Sequence, residues 1–156
     1  MGFIVSPLPL RAGTLALCAA PAGPEARAAL AALAPALVVS MTEADESQAL
    51  GLADLPGWLA ARGIGWQPFP VADFAIPPPG ADWARLAARA NAALAAGQTV
   101  LLHCRGGLGR SGMVALRLMI EAGEEPGAAL ARLRAARQGA VETAAQEGWA
   151  QGAAGL

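Results

Sequence analysis

Residues 103–112 read HCRGGLGRSG and place a cysteine and an arginine six positions apart around a glycine-rich stretch. Cys104 offers a thiol, a strong nucleophile once it has lost its proton. Glycines let the backbone turn so that successive N–H groups converge on an anion. The planar guanidinium of Arg110 matches two phosphate oxygens. The spacing predicts a phosphate-binding loop over residues 104–110, in which the phosphate contacts come from Arg105, Gly106, Gly107, Leu108, Gly109 and Arg110.

The segments on either side of this loop support the prediction. The apolar run at 99–103 predicts a strand that leads into the loop, and residues 111–121 predict a buried helix that follows it. The positive end of that helix is expected to stabilise a Cys104 thiolate together with the loop N–H groups. Ser111 is placed to donate a hydrogen bond to the sulfur and to ease its departure. The alternative for Cys104 is a small buried apolar residue.

Two neighbours of Cys104 have more than one interpretation. His103 is the only histidine in the chain, and it serves either as a proton shuttle or as a group that fixes the backbone beneath Cys104 and tunes its thiolate. Its place at the end of a strand favours the second role. Arg105 either faces the mouth of the site, where it adds charge for a second phosphate, or pairs with Glu43 or Glu46.

The segment HCRGGLGRS resembles the H-C-x5-R-[S/T] signature of cysteine-dependent protein phosphatases. It is most similar to the small dual-specificity group that includes the cyclin-dependent-kinase-inhibitor-associated phosphatases and their bacterial relatives. The resemblance implies an α/β fold of three layers, with a central, mostly parallel sheet of about four to five strands flanked by helices. It also implies a cysteinyl-phosphate intermediate on Cys104 and a reaction without a metal or another cofactor.

The same resemblance extends to two segments outside the phosphate-binding loop. Residues 70–77, here named the acid loop, resemble the family segment that carries a general-acid aspartate, which would be Asp73. Asp82 is the alternative acid, although its position before a predicted helix favours an N-cap. Residues 138–147 resemble the family segment whose glutamine places the hydrolytic water, which would be Gln146. Relatives often have Arg-Pro where this chain has Arg137 and Gln138.

Alternating apolar and helical segments predict the elements that position these groups. Strands are expected at 14–19 and 36–40, with an extended segment at 64–71. One helix is expected from Pro24 and a second after an N-cap at Thr42. Further helices are expected over 82–96, 126–137 and 143–150. The length suits one phosphatase domain over 1–156, with a frayed tail at 151–156.

Composition excludes several functional classes. The net charge of the 156 residues is −1, aromatic residues make up 4% and tyrosine is absent, so no nucleic-acid partner is expected. Two cysteines make neither a disulfide framework nor a zinc knuckle. No apolar run is long enough to cross a bilayer and no secretory signal is apparent. We expect a cytoplasmic monomer with no membrane partner.

These observations predict a phosphoprotein phosphatase that acts on phosphotyrosine, with phosphoserine and phosphothreonine as further substrates. One alternative is a phosphatase of phosphoinositides or other small phosphomonoesters. The loop contains no lysine, which those enzymes often have, and this favours phosphoproteins. A rhodanese-like sulfurtransferase also holds a cysteine in an anion-binding loop. It needs neither Asp73 nor the Arg110–Ser111 pair, which counts against it.

Overall fold

The computed structural model describes residues 2–152, and its centre is one five-stranded sheet in the order β1-β2-β5-β3-β4. All neighbouring strands are parallel except β1 and β2. The predicted α/β architecture with a mostly parallel sheet is therefore confirmed. The strands are β1 (Val5–Leu10), β2 (Gly13–Cys18), β3 (Leu37–Ser40), β4 (Gly65–Pro68) and β5 (Thr99–His103).

Strand β1 has no counterpart among the predicted elements. Its sequence contains Pro7 and Pro9, which usually argue against a strand because proline has no N–H for the ladder. Here β1 lies at the edge of the sheet and pairs only with β2, and an edge strand tolerates proline. Strand β4, at the other edge, ends at Pro68, so both edges are protected from pairing with another chain.

Two apolar clusters cover the faces of the sheet. Side chains alternate along each strand, so Leu15 and Leu17 join one cluster while Ala16 and Cys18 join the other. The first cluster is covered mainly by α4–α7 and the second by α1 and α3. The helices are α1 (Gly23–Leu33), α2 (Ala44–Ala49), α3 (Leu55–Ala60), α4 (Trp83–Ala95), α5 (Gly109–Glu121), α6 (Pro126–Ala136) and α7 (Ala144–Gln151).

Several boundaries differ from the predicted ones for identifiable reasons. The N-cap of α2 is Glu43 and not Thr42, because Glu43 and Glu46 form a reciprocal capping box. The extended segment at 64–71 is a strand only over 65–68, since prolines interrupt its far end. Helix α5 begins at Gly109, two residues early. Helix α7 includes Gln151, the first residue of the expected frayed tail, and residues 153–156 lie outside the described range.

The register of the parallel strands brings the predicted site together. Ser40 lies opposite both Pro68 and His103, and His103 also lies opposite Cys18. The carboxyl ends of four strands are therefore level, and the loops that follow β3, β4 and β5 meet at one edge, as in other open α/β sheets. Within residues 2–152 we find no helix with the length and apolarity needed to cross a bilayer.

Two helical glycines provide a matched test of how tightly α5 is held. A Cβ on Gly112 would lie 2.5 Å from the backbone nitrogen of Val141, whereas a Cβ on Gly148 meets nothing within 4 Å. We expect Gly112→Ala to lower the free energy of unfolding by about 1–3 kcal/mol through overpacking. Gly148→Ala is expected to raise it by roughly 0.5–1 kcal/mol. Urea denaturation measures both, and equal effects would contradict the close approach of α5 to residues 140–141.

Candidate active site

The phosphate-binding loop runs from the end of β5 to the first turn of α5. Cys104, the first loop residue, is 3% exposed. Gly107 adopts a φ of +71°, and a Cβ at this position would collide with the carbonyl group of Cys18. Only glycine satisfies both conditions. The loop therefore turns tightly against β2 and leads directly into the N-terminus of α5, whose first residue is Gly109.

Arg110 is buried, with 1% of its surface exposed, and its charge is matched by Glu46. Its two terminal nitrogens donate to the two carboxylate oxygens of Glu46 at 2.7 Å each. This hydrogen bonding holds the pKa of the Glu46 carboxyl below its ordinary value. Nη1 also donates to the carbonyl oxygen of Val71 at 2.8 Å. Sequence reasoning considered Glu46 only as a partner of Arg105, because nothing in the spacing relates α2 to Arg110.

Asp73 lies beside this guanidinium, with its Oδ1 at 3.2 Å from Nη2 of Arg110. A cavity of about 400 Å³ is lined by Asp73, Phe74, Cys104, Arg105, Gly106 and Glu142. Asp82, the alternative acid, instead accepts a hydrogen bond from the backbone N–H of Arg85 at 3.1 Å and caps α4. The fold brings Asp73 to Cys104, while Asp82 faces a different cavity.

His103 lies beneath the loop and is fully buried. The indole N–H of Trp66 donates to Ser40 Oγ at 2.9 Å, and because Nδ1 of His103 faces a carbonyl oxygen, which can only accept, Nε2 of the neutral ring accepts from the Ser40 hydroxyl 2.5 Å away. The ring proton is then on Nδ1, which donates to the carbonyl oxygen of Cys104 at 3.2 Å. Burial lowers the pKa of His103 to about 4, and the ring is neutral at physiological pH.

Arg137 holds the outer side of the loop. Its Nε donates to the carbonyl oxygen of Gly107 and its Nη2 to that of Gly106, both at 3.1 Å. Its Nη1 donates to Ser6 Oγ on β1 at 3.2 Å. Loop carbonyls that face outward toward Arg137 leave the cavity side to N–H groups. The sequence distinguishes Arg137 only as the residue before Gln138, where relatives often have proline.

Gln146 connects the acid loop to α7. Its Oε1 accepts from the backbone N–H groups of Glu142 and Thr143, and its Nε2 donates to the carbonyl oxygen of Ala75 at 3.2 Å. A Cβ on Gly109 would lie 3.1 Å from the Gln146 amide, so this side chain contacts the phosphate-binding loop. Gln146 thus lies near the predicted site. Most of the hydrogen-bonding capacity of its amide is used by backbone groups of the protein, which leaves little for a water molecule.

The side chains of the last two predicted residues make no hydrogen bond or ion pair within residues 2–152. Ser111 Oγ is buried and makes no hydrogen bond there, so the predicted bond to the Cys104 sulfur is not made in this structure. Arg105 is exposed and has no carboxylate within 4.0 Å in the same range. It faces the cavity mouth rather than pairing with Glu43 or Glu46.

The arrangement places a nucleophile and a carboxylic acid on one cavity and a buried cationic fork against that acid. This combination suits transfer of a phosphoryl group through a covalent intermediate. Among the described residues, no three His, Cys, Asp or Glu side chains are grouped closely enough to hold a metal ion.

Comparison with known proteins defines the class. Residues 9–149 match the family model described as Swiss Army Knife protein, DSP-PTPase phosphatase domain. Kinase associated phosphatase superposes with a TM-score of 0.85 at 22% identity, over 96% of this chain and 93% of that chain. Tk-PTP in its active form superposes with a TM-score of 0.69 at 31% identity, over 85% of each chain. PTPMT1 in complex with PI(5)P superposes with a TM-score of 0.77 at 19% identity, over 95% of this chain and 94% of that chain.

The chain belongs to the dual-specificity protein tyrosine phosphatase family. It is a cysteine-based phosphatase, a hydrolase, and the resemblance in the sequence is confirmed. A sequence search among curated proteins finds no match. The family assignment leaves the sulfurtransferase alternative without support.

The burial of His103 generates a pH prediction. Between its folded pKa of about 4 and its ordinary 6.5, the unfolded chain binds a proton that the folded protein does not. The contribution of neutral His103 to the free energy of unfolding is therefore full well above pH 6.5 and declines as the pH falls. From pH 7 to pH 5 we expect the free energy of unfolding to decrease by about 2 kcal/mol. Chemical denaturation at the two pH values measures this.

The control is His103→Asn, in which this titration is absent. The variant is expected to be less stable than the wild type at pH 7, to change little between pH 7 and pH 5, and so to approach the wild type as the pH falls. A pH dependence as large as that of the wild type would assign the effect to other groups.

Proposed function

We propose that this phosphatase hydrolyses phosphomonoesters of proteins, phosphotyrosine first, with phosphoserine and phosphothreonine as further substrates. The observation that carries the proposal is that Cys104 and Asp73 line the same cavity of about 400 Å³ while Arg110 contacts Asp73. A substrate phosphate in this cavity reaches the thiol on one side and the carboxyl on the other. A cytoplasmic location and a monomeric state remain predictions from the sequence.

In the first step, the Cys104 thiolate attacks phosphorus opposite the leaving oxygen. An S–P bond forms while the P–O bond breaks. The loop N–H groups and Arg110 hold the three equatorial oxygens, where charge spreads in the transition state. Asp73, protonated in the enzyme–substrate complex, gives its proton to the leaving oxygen, so that a neutral phenol or alcohol departs.

Glu46 gives Arg110 its orientation for this step. Both terminal nitrogens of Arg110 already bond Glu46, while Nε is buried and has no hydrogen-bond partner among the described residues. A guanidinium held at its far edge presents a fixed plane to an incoming phosphate, and fixed donors contribute more to catalysis than mobile ones. The unused Nε–H is one donor available to a phosphate oxygen.

In the second step, water attacks the phosphorus of the cysteinyl-phosphate. The Asp73 carboxylate takes a proton from this water, the S–P bond breaks, and inorganic phosphate leaves. Ser111 would donate its hydroxyl proton as a hydrogen bond to the departing thiolate, a role that its buried, unpartnered Oγ permits. Gln146 has one amide hydrogen beyond its bond to Ala75, which supports a role in orienting the water.

His103 acts in this proposal by position, not by proton transfer. Its ring is fully buried and both nitrogens are engaged, and a pKa of about 4 leaves the ring uncharged near neutral pH, with no imidazolium proton to transfer. The Nδ1–H bond to the Cys104 carbonyl fixes the backbone at the nucleophile. This arrangement favours the second of the two roles considered from the sequence.

Asp73 and Asp82 form a matched pair for testing the acid. Asp73→Asn is expected to slow hydrolysis of phenyl phosphate by roughly 10²–10⁴-fold, because phenolate is a poor leaving group without a proton. It is expected to affect p-nitrophenyl phosphate less and to remove the basic limb of the pH–rate curve. Asp82→Asn is expected to keep the rate on phenyl phosphate and the basic limb of the curve, since asparagine caps a helix as well as aspartate does. The reverse pattern would overturn the assignment.

Cys104→Ser and Arg110→Lys separate chemistry from binding. Cys104→Ser is expected to abolish turnover of an aryl phosphate while a phosphopeptide still binds, because the loop N–H groups and Arg110 remain. Arg110→Lys is expected to lose most of the turnover and most of the binding, since an ammonium group cannot bond both Glu46 oxygens and a phosphate oxygen in the geometry of the guanidinium. Steady-state kinetics and calorimetry measure the two properties. Substantial turnover by Cys104→Ser would exclude a cysteinyl-phosphate.

A further inference from the structure

A second cavity lies beside the active site, and the proposed mechanism does not use it. It has a volume of about 330 Å³ and is formed where β3 and β4 end, against α2 and the start of α3. Leu52, Leu55, Trp66 and three prolines make most of its wall, and no charged side chain lines it. This cavity, here named the side pocket, has the size and apolar character of a ligand site.

The polar groups of the side pocket already have partners within the protein. Ser40 Oγ accepts from the indole N–H of Trp66 and bonds His103, so the indole is held in place as part of the wall. Thr42 Oγ1 and Ser47 Oγ bond each other at 2.6 Å. An apolar occupant therefore leaves every hydroxyl with the partner it has, whereas a charged occupant would find no opposite charge. The pocket suits an uncharged, apolar group.

The side pocket and the active-site cavity are at the same edge of the sheet. Cys104 directly follows β5, and β3 and β4 are the next two strands on one side of β5. Because neighbouring strands lie 4.7–4.9 Å apart, the pocket at the ends of β3 and β4 is about 5–10 Å to the side of the nucleophile.

Two segments of the chain border both cavities. The acid loop begins at Pro70, which lines the side pocket, and continues to Asp73, which lines the active-site cavity. Helix α2 contributes Ala44 to the side pocket and bonds Arg110 through Glu46. A molecule bound in one cavity therefore lies alongside the walls of the other.

We propose that the side pocket binds a large apolar side chain of the protein substrate, two or three residues from the phosphorylated residue. The inference rests on the proposed function. An extended peptide advances about 3.3 Å per residue, so a substrate whose phosphate lies at Cys104 spans 5–10 Å within roughly two or three residues. The substrate chain is also the one occupant whose position the active site itself fixes, which favours it over a second copy of this protein.

The experiment uses a phosphotyrosine peptide in which a single leucine replaces alanine at each position in turn, on both sides of the phosphotyrosine. For the wild type we expect leucine at one position, two or three residues away, to raise kcat/KM about tenfold over the all-alanine peptide. The gain is expected chiefly in KM, because this burial acts alike in the ground and transition states. Aspartate at that position is expected to give no gain.

Ala53→Phe and Ala60→Phe are matched variants. Both alanines are exposed, but only Ala53 lines the side pocket, while Ala60 is the last residue of α3. Ala53→Phe is expected to fill the pocket and remove the leucine gain, and Ala60→Phe is expected to keep it. Both are expected to hydrolyse p-nitrophenyl phosphate and the all-alanine peptide as the wild type does, since neither substrate reaches the pocket. Calorimetry of the leucine peptide on Cys104→Ser, with and without Ala53→Phe, measures the same difference as binding.

Failure of the side pocket and failure of the enzyme give different results. The pocket assignment would be overturned, and the phosphatase proposal left standing, by a leucine gain at no position or equally at all positions. A gain that survives Ala53→Phe, or that Ala60→Phe loses as well, has the same meaning. A dimer that Ala53→Phe dissociates in gel filtration would assign the pocket to a second copy and overturn the inference. A wild-type protein that hydrolyses none of the peptides, with a Cys104→Ser variant that binds none, would overturn the proposed function too.

Discussion

The buried guanidinium of Arg110 is the constraint that organises this site. A charge at 1% exposure requires an opposite charge and satisfied hydrogen bonds, because leaving it unpaired in the interior is very costly. Glu46 supplies both carboxylate oxygens, and the carbonyl of Val71 supplies another acceptor. The same Glu46 completes the capping box of α2. The Arg110 guanidinium thus joins α2, the loop after β4 and the start of α5.

The phosphate-binding loop depends on two further supports that never touch the substrate in the proposed mechanism. Arg137 holds the carbonyls of Gly106 and Gly107 from outside. His103 holds the carbonyl of Cys104 from beneath and is itself ordered by Ser40 and Trp66. Preorganisation of this kind matters because donors that are already oriented need not reorganise during the reaction. The loop has its shape because β1, β3 and β4 all contribute to it.

Strain and exposure are concentrated on one side of the cavity. The acid loop carries a phenylalanine with positive φ and open apolar surface, whereas Arg110, which contacts Asp73 of the same loop, is buried and paired with Glu46. The buried side is suited to a phosphate, which is common to all candidate substrates. Gln146 connects the two sides by contacting both Ala75 and Gly109.

The sequence alone predicted the alternation of strands and helices, the loop with Cys104 and Arg110, and the capping of α4 by Asp82, because periodicity, glycine spacing and capping preferences are local properties. It did not reveal β1, whose prolines are acceptable only at a sheet edge, nor the capping of α2 by Glu43. It also did not pair Glu46 with Arg110 or assign Arg137 to the loop carbonyls. Each of these depends on residues distant in sequence, 64 positions apart for Arg110 and Glu46, and no local pattern carries that information. Only the level ends of the parallel strands bring these groups together, so the tertiary structure decided which charge neutralises which and what the cavity presents to its substrate.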